Sequence, residues 1–252
     1  MTPIPDFSLA GKLALVTGAG RGIGRAIAEV YAQAGAEVVL CARSASEITD
    51  VAEALAAQGL SARAIPCDVT DVAAFRALVE GLDRLDVFVN NAGTNRPRPL
   101  VEVTEDNFDA IAGLNLRAAF FALQSVARRM RDLGRGGSII NMSSQMGHIG
   151  AADRSVYCAT KWGIEGLTKA SAIELAPAGI RVNTICPTFI ETPLTKPYFE
   201  NPAFRDHCLR MIKLGRVGQV GDITGAALYL ASDASGLMTG SAMMLDGGWT
   251  AE

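Results

Sequence analysis

The chain of 252 residues carries 23 Lys and Arg against 26 Asp and Glu, a formal net charge of −3 with both histidines neutral, and this near-balance argues against nucleic acid as a partner. With 49% hydrophobic and 19% charged residues, the chain has material for a large core and is neither disordered nor low-complexity. Its five cysteines are scattered without a C-x-x-C pair, and only His148 and His207 are present. A disulfide framework, a zinc knuckle, a histidine-rich metal site and a Ser-His-Asp triad therefore have little material, and no metal is expected.

In chain order, the N-terminus shows no basic segment followed by an apolar run, and no stretch reads as the roughly 18 apolar residues of a membrane span. A cytoplasmic protein without a membrane partner is the expectation. Short apolar runs then alternate with amphipathic segments to the end of the chain. Strands are predicted at 13–17, 37–41, 62–66, 87–90, 138–142, 181–186 and 242–245. They lack polar alternation, as strands buried on both faces do. Helices are predicted at 23–34, 45–58, 72–82, 106–133, 156–176 and 222–231. Repeated βα units with right-handed crossovers make one α/β domain over 1–252, a doubly wound parallel sheet of seven strands with helices on both faces. The stretch 192–216 breaks the pattern, mixing Pro193, Pro197 and Pro202 with Tyr198, Phe199 and Phe204. It reads as a mobile substrate flap, since long irregular insertions in compact domains are usually functional; the alternative is a surface excursion packed on its own aromatics.

The first strand runs into Thr17-Gly18-Ala19-Gly20-Arg21-Gly22-Ile23-Gly24, followed at once by a helical pattern. Gly18, Gly22 and Gly24 permit a tight turn and close backbone approach to a pyrophosphate, which the helix N-terminus favours electrostatically. In the common dinucleotide fingerprint an acid at the end of the second strand selects NAD; here Arg43-Ser44 stand there instead. Arg43, with Arg21 as a second cation, suits the 2′-phosphate of NADP(H).

T-G-x-x-x-G-x-G, then Asn90-Asn91-Ala92-Gly93, Tyr157-x-x-x-Lys161, Pro187-x-x-x-x-Thr192 and Asp246-Gly247-Gly248 together resemble the classical short-chain dehydrogenase/reductase family, a Rossmann-type fold, over nearly the whole chain. Thr188 departs from it, standing where the family usually has glycine. The resemblance implies cofactor contacts from Gly18, Arg21, Gly22, Ile23, Gly24, Arg43, Ser44, Asp68, Val69, Asn91, Ala92, Gly93, Tyr157, Lys161, Pro187, Ile190 and Thr192. It also implies a catalytic set of Asn115, Ser144, Tyr157 and Lys161. Tyr157 and Lys161, one helical turn apart, make an acid–base pair in which the ammonium lowers the phenol pKa. Ser144, thirteen residues before the tyrosine, is the family's serine and would stabilise developing charge on the substrate oxygen. Asn115 matches the asparagine that holds a proton-relaying water.

The segment after the fourth strand, with Asn95 and Arg96, lies at the carboxyl edge of the sheet where ligands bind. Arg96 suits a carboxylate, Ser144 and Gln145 add polar contacts, and Tyr198 closes the pocket from the flap. His148 reads equally as a substrate-loop residue or a structural contact. The Asn-Asn-Ala-Gly-x-x-Arg pattern is similar to sugar-acid members of the family such as gluconate 5-dehydrogenases. The expected reaction is NADP(H)-dependent interconversion of a carbonyl and a secondary alcohol on a small polyhydroxylated compound, in a homotetramer. The alternatives are a 3-oxoacyl thioester (acyl-carrier-protein) reductase and a non-catalytic NADP(H)-binding sensor.

Overall fold

The computed structural model describes residues 4–251. Seven parallel strands, β1 (Leu13–Thr17), β2 (Glu37–Ala42), β3 (Ala62–Pro66), β4 (Val87–Asn90), β5 (Gly137–Met142), β6 (Ile180–Pro187) and β7 (Ala242–Leu245), form one sheet in the order β3-β2-β1-β4-β5-β6-β7. All seven were expected, with small extensions at the ends of β2, β5 and β6. The order reverses between β1 and β4, where Leu15 pairs with Phe88. Such a switch point opens a crevice at the carboxyl ends of the strands, where doubly wound sheets bind ligands.

Every residue of β1 is buried, and the strand shows why the sequence carries no polar alternation. Leu13 and Leu15 face one core with Phe75, Phe88, Val126 and Met130, whereas Ala14 and Val16 face another with Ile27, Tyr31, Leu40 and Ile223. Each fully buried leucine or phenylalanine of these layers contributes roughly 1.5–3 kcal/mol. The first core is covered by α3 (Val72–Glu80), α5 (Ala119–Leu133) and α6 (Ser155–Leu175), the second by α1 (Gly22–Gln33), α2 (Ala45–Ala56) and α9 (Gly221–Ala231).

Two helical expectations need correction. The long helix predicted at 106–133 is α4 (Glu105–Ala112), a wide π-type turn over Gly113–Ala118, and α5. By length and composition this run, Glu105–Leu133, is long and apolar enough to cross a membrane, although it holds no 18 consecutive apolar residues. Half of its apolar window is buried in the fold, as in the core helix of a globular domain. The segment 192–216 is not irregular. It forms α7 (Lys196–Phe199) and α8 (Pro202–Met211). Pro197 and Pro202, which read as breakers, sit in the first turns of these helices, where a missing N–H costs nothing. Asn201 caps α8 by accepting from Ala203 N at 3.0 Å.

Candidate active site

A cleft of roughly 920 Å³ runs along the carboxyl ends of the strands and is lined by the glycine loop, the ends of β2 to β6 and α7. The glycine loop is shaped for close approach of another backbone or a ligand. Gly18 has φ +65°, and a Cβ there would lie 2.8 Å from Asn91 Nδ2; a Cβ on Gly24 would lie 2.3 Å from Gly18 O. Neither position tolerates a side chain. Asn91 locks the loop from β4, its amide donating to Thr17 O at 2.8 Å while its backbone N–H donates to Thr17 Oγ1 at 2.9 Å. No side chain caps α1, so its first-turn N–H groups remain available to an anion. This cradle fits a pyrophosphate, and the pocket beyond it holds the other expected contacts Ile23, Arg43, Ser44, Asp68, Val69, Ala92, Gly93, Pro187, Ile190 and Thr192.

Arg43 stands beside Asp68. Burial alone would raise the Asp68 carboxyl, but hydrogen bonds from Thr70, and then the Arg43 guanidinium, hold it below the usual range. Ser44 caps α2 by accepting from Glu47 N at 3.4 Å. Sequence reading missed Glu47. It turns back to the glycine loop, pairs with Arg21 at 3.4 Å and lines the cleft. Arg21 is thus a cation already shared with an acid, and Arg43 is the better partner for an added phosphate.

Ser144, Tyr157 and Lys161 converge on the same cleft. The α6 spacing sets the latter two on one face, with Lys161 Nζ 5.5 Å from the Tyr157 ring centre and donating to Met142 O at 2.7 Å. Burial pushes the Tyr157 phenol up to about 12 despite the hydrogen bond with Ser144 that pulls it down. Burial also lowers the Lys161 ammonium to about 8. Against the expectation of a phenol lowered by the lysine, Tyr157 is raised: loss of solvent dominates, and the lowering contributions come from Ser144 and Arg154. At neutral pH the phenol is protonated, ready to give a proton but not to take one. The alcohol-oxidising rate should accordingly rise with pH from neutrality toward the phenol's value of about 12, while the carbonyl-reducing rate does not rise over that range. Parallel pH profiles in the two directions check this.

Ser143 and Ser144 are both buried but differ in placement. Ser144 lies within hydrogen-bonding reach of Tyr157 and accepts from Met146 N at 3.1 Å. Ser144→Ala should lower kcat by about 10²-fold or more, the scale of losing one charge-stabilising donor, whereas Ser143→Ala should be mild. Steady-state kinetics of the two variants side by side distinguish them.

Asn115 lies within the π-type turn, a feature often associated with functional sites. Its side chain does not line the cleft. It accepts from Thr94 N and donates to Thr94 O, both at 2.8 Å. Bonded at both ends to the Thr94 backbone, this side chain fixes the wall carrying Asn95 and Arg96.

On the substrate side, Asn95, Arg96, Gln145 and Tyr198 all line the cleft. Gln145 is buried, and neither its oxygen nor its nitrogen has a hydrogen-bond partner. Such an amide is costly unless a ligand satisfies it. Thr188, the departure from the family pattern, keeps the backbone path through Thr188 N to Leu245 O at 3.1 Å and adds an unpartnered hydroxyl to the cleft. Tyr198 lies under the Arg154 guanidinium, 5.4 Å from ring centre to carbon, and its hydroxyl donates to Asn95 O at 3.4 Å. Phe199 and Phe204 pack with Phe189 in an aromatic cluster that also includes Trp249. One side of 192–216 thus packs on aromatics, as the second reading expected, and the other presents Tyr198 to the cleft. Of the two readings of His148, the geometry favours the structural contact over the substrate-binding one. The histidine does not line the cleft but turns to Cys186 and Glu165.

Comparison with known proteins agrees with this architecture. A family model described as enoyl-(acyl carrier protein) reductase matches residues 18–250. D-threitol dehydrogenase of Mycolicibacterium smegmatis is 37% identical over 249 residues, covering 97% of this chain and 95% of that protein. A crystal structure of gluconate 5-dehydrogenase from Burkholderia cenocepacia, in complex with NADP and tartrate, has a TM-score of 0.94 at 35% identity and covers 98% of both chains. A short-chain type dehydrogenase/reductase from Mycobacterium marinum has a TM-score of 0.93 at 40% identity, again covering 98% of both. With its glycine cradle, its Ser144, Tyr157 and Lys161 in one cleft, and relatives matched end to end, the chain belongs to the short-chain dehydrogenase/reductase family.

Proposed function

We propose that this protein is an NADP(H)-dependent oxidoreductase that interconverts a carbonyl and a secondary alcohol on a small polyhydroxylated compound: a sugar, a sugar acid or a polyol. The observation that carries the reading is the convergence of Ser144, Tyr157 and Lys161 on the cleft that also holds the glycine cradle and Arg43. The nicotinamide cofactor, when bound, supplies or accepts the hydride. The chain's own residues do the rest. The glycine loop and the N-terminus of α1 hold the pyrophosphate, and Arg43 takes the 2′-phosphate. Ser144 donates a hydrogen bond to the substrate oxygen, and Tyr157 moves the proton at that oxygen. Lys161, held by Met142 O, places its positive charge beside Tyr157 and stabilises the phenolate that proton donation leaves.

Arg96, the unpartnered Gln145 amide and the Thr188 hydroxyl give the substrate end a polar lining suited to several hydroxyls and a carboxylate. Reduction of a 3-oxoacyl thioester is the second reading; the matching family model, described as an enoyl-(acyl carrier protein) reductase, shares with it the acyl-carrier-bound chain but not the 3-oxo group. Arg96→Ala separates the two. It should raise KM for keto-aldonates by about 10-fold or more, the scale of one charge-assisted hydrogen bond, and leave neutral sugars little changed. Efficient turnover of acetoacetyl thioesters, with no sugar-derived substrate and no effect of Arg96→Ala, would move the assignment to the second reading.

The protein acts as a homotetramer in the cytoplasm. Exposed Phe108, Phe120 and Trp162 on α4, α5 and α6 support an apolar interface, and the five free cysteines support a reducing compartment.

A further inference from the structure

Outside the cleft, three side chains from separate segments meet. His148 follows the short helical turn Gln145–Gly147, Glu165 lies on α6 one turn after Lys161, and Cys186 is the penultimate residue of β6. His148 Nε2 is 3.4 Å from Cys186 Sγ and 3.5 Å from Glu165 Oε1, and Cys186 Sγ is 3.3 Å from the same Oε1. One ligand atom from each residue thus forms a nearly equilateral triangle.

The edges of that triangle are those of a coordination shell. Zinc holds nitrogen and oxygen ligands at about 2.0–2.2 Å and sulfur at about 2.3 Å in a tetrahedron, which spaces the ligands roughly 3.3–3.8 Å apart. The three observed edges lie within this spacing with no side chain moved. The surroundings are also those of a metal site. Glu165 and Cys186 are buried, and the second carboxylate oxygen of Glu165 accepts from Thr184 Oγ1 at 3.1 Å, the type of outer contact that orients a ligand carboxylate. The His148 side chain is 32% exposed, which leaves a path for an ion. The buried Ser143 hydroxyl adjoins Cys186 and offers a polar neighbour to a bound water. The Cys186 thiol donates to Glu165 Oε1 at 3.3 Å, and His148 Nε2 and Thr184 Oγ1 each stand 3.4 Å from the same sulfur, so the cluster is already drawn together on one sulfur.

We propose that His148, Glu165 and Cys186 bind a zinc ion, with Nε2, Oε1 and the thiolate sulfur as protein ligands and a water as the fourth. The mixed set of imidazole, carboxylate and thiolate suits zinc among the divalent ions. Binding displaces the thiol proton to solvent. The ion clamps the segment following Ser144 to α6 and β6, so it acts on the fold around the catalytic cleft and does not take part in the reaction. The proposal stands independently of the substrate reading.

Cobalt(II) titration of chelator-treated, reduced protein is the test. One equivalent should produce a near-ultraviolet thiolate-to-cobalt charge-transfer band together with visible d–d bands of tetrahedral intensity, and zinc should abolish both. The band should vanish in Cys186→Ala and persist in Cys67→Ser, the control for the one cysteine that is not buried. Glu165→Gln should weaken zinc binding by about 10-fold or more. Zinc should raise the Tm of wild type, a readout that holds even where a variant folds poorly. Absence of the charge-transfer band in folded wild type, or its survival in Cys186→Ala, overturns the proposal.

Discussion

Tyr157→Phe should fold, bind NADPH and lose about 10²- to 10⁴-fold in kcat, the usual contribution of a positioned acid–base group. The substitution removes one oxygen and keeps the ring. Its folding contacts change little, because Thr160 Oγ1 bonds the backbone of Tyr157 and Lys161 is anchored at Met142 O. Only the hydrogen bond with Ser144 disappears. The loss should therefore appear in kcat with nearly unchanged Tm and nucleotide affinity, measured by steady-state kinetics, thermal unfolding and NADPH fluorescence titration. Full activity in this variant would place the proton transfer on another group.

Arg43→Asp should reverse the nucleotide preference. Wild type should favour NADP(H), and the variant should lose about 10-fold or more in kcat/KM for NADPH, since hydrogen bonds to charged groups contribute about 1.5–3 kcal/mol. The aspartate would also face Asp68 and Glu47 across the pocket and add repulsion toward a 2′-phosphate while offering an acceptor to the ribose hydroxyls of NADH. Equal or better use of NADH by wild type would assign Arg43 to the solvent-exposed surface and leave Glu47, the acid absent from the sequence reading, as the group at this end of the cleft.

The inner strands were legible because they are buried on both faces, so an apolar run has one reading; the edge strands β3 and β7, only partly buried, were placed by their apolar and β-branched runs between helical segments, and all seven fall where the pattern placed them. Tyr157 and Lys161 were legible through their one-turn spacing on a single helix, and Ser144 through the resemblance to the family, whose serine stands thirteen residues before the tyrosine. The π-type turn at Gly113–Ala118 was not, since apolar periodicity continues through it while the backbone widens. Helices α7 and α8 were hidden by prolines that a first helical turn accommodates. Glu47 escaped notice because it reaches the glycine loop from one turn inside α2, rather than from the end of β2 where an acid was sought. His148 could not be placed from local sequence at all. Its partners Glu165 and Cys186 are 21 residues apart from each other, and Cys186 is 38 from the histidine itself, so only the closed fold brings them together.

The central claim is hydride exchange between NADPH and a polyhydroxylated carbonyl at the Tyr157 cleft, and the most direct measurement is stoichiometric. Purified protein is incubated with NADPH and a panel of keto-aldonates, ketoses and acetoacetyl thioesters, and both nucleotide oxidised and alcohol formed are quantified, with Tyr157→Phe in parallel. The account predicts one alcohol per NADPH on at least one sugar-derived carbonyl, with that turnover collapsing in the variant. Tight NADPH binding with no oxidation by any carbonyl would contradict it and make the protein a nucleotide-binding sensor on the same fold.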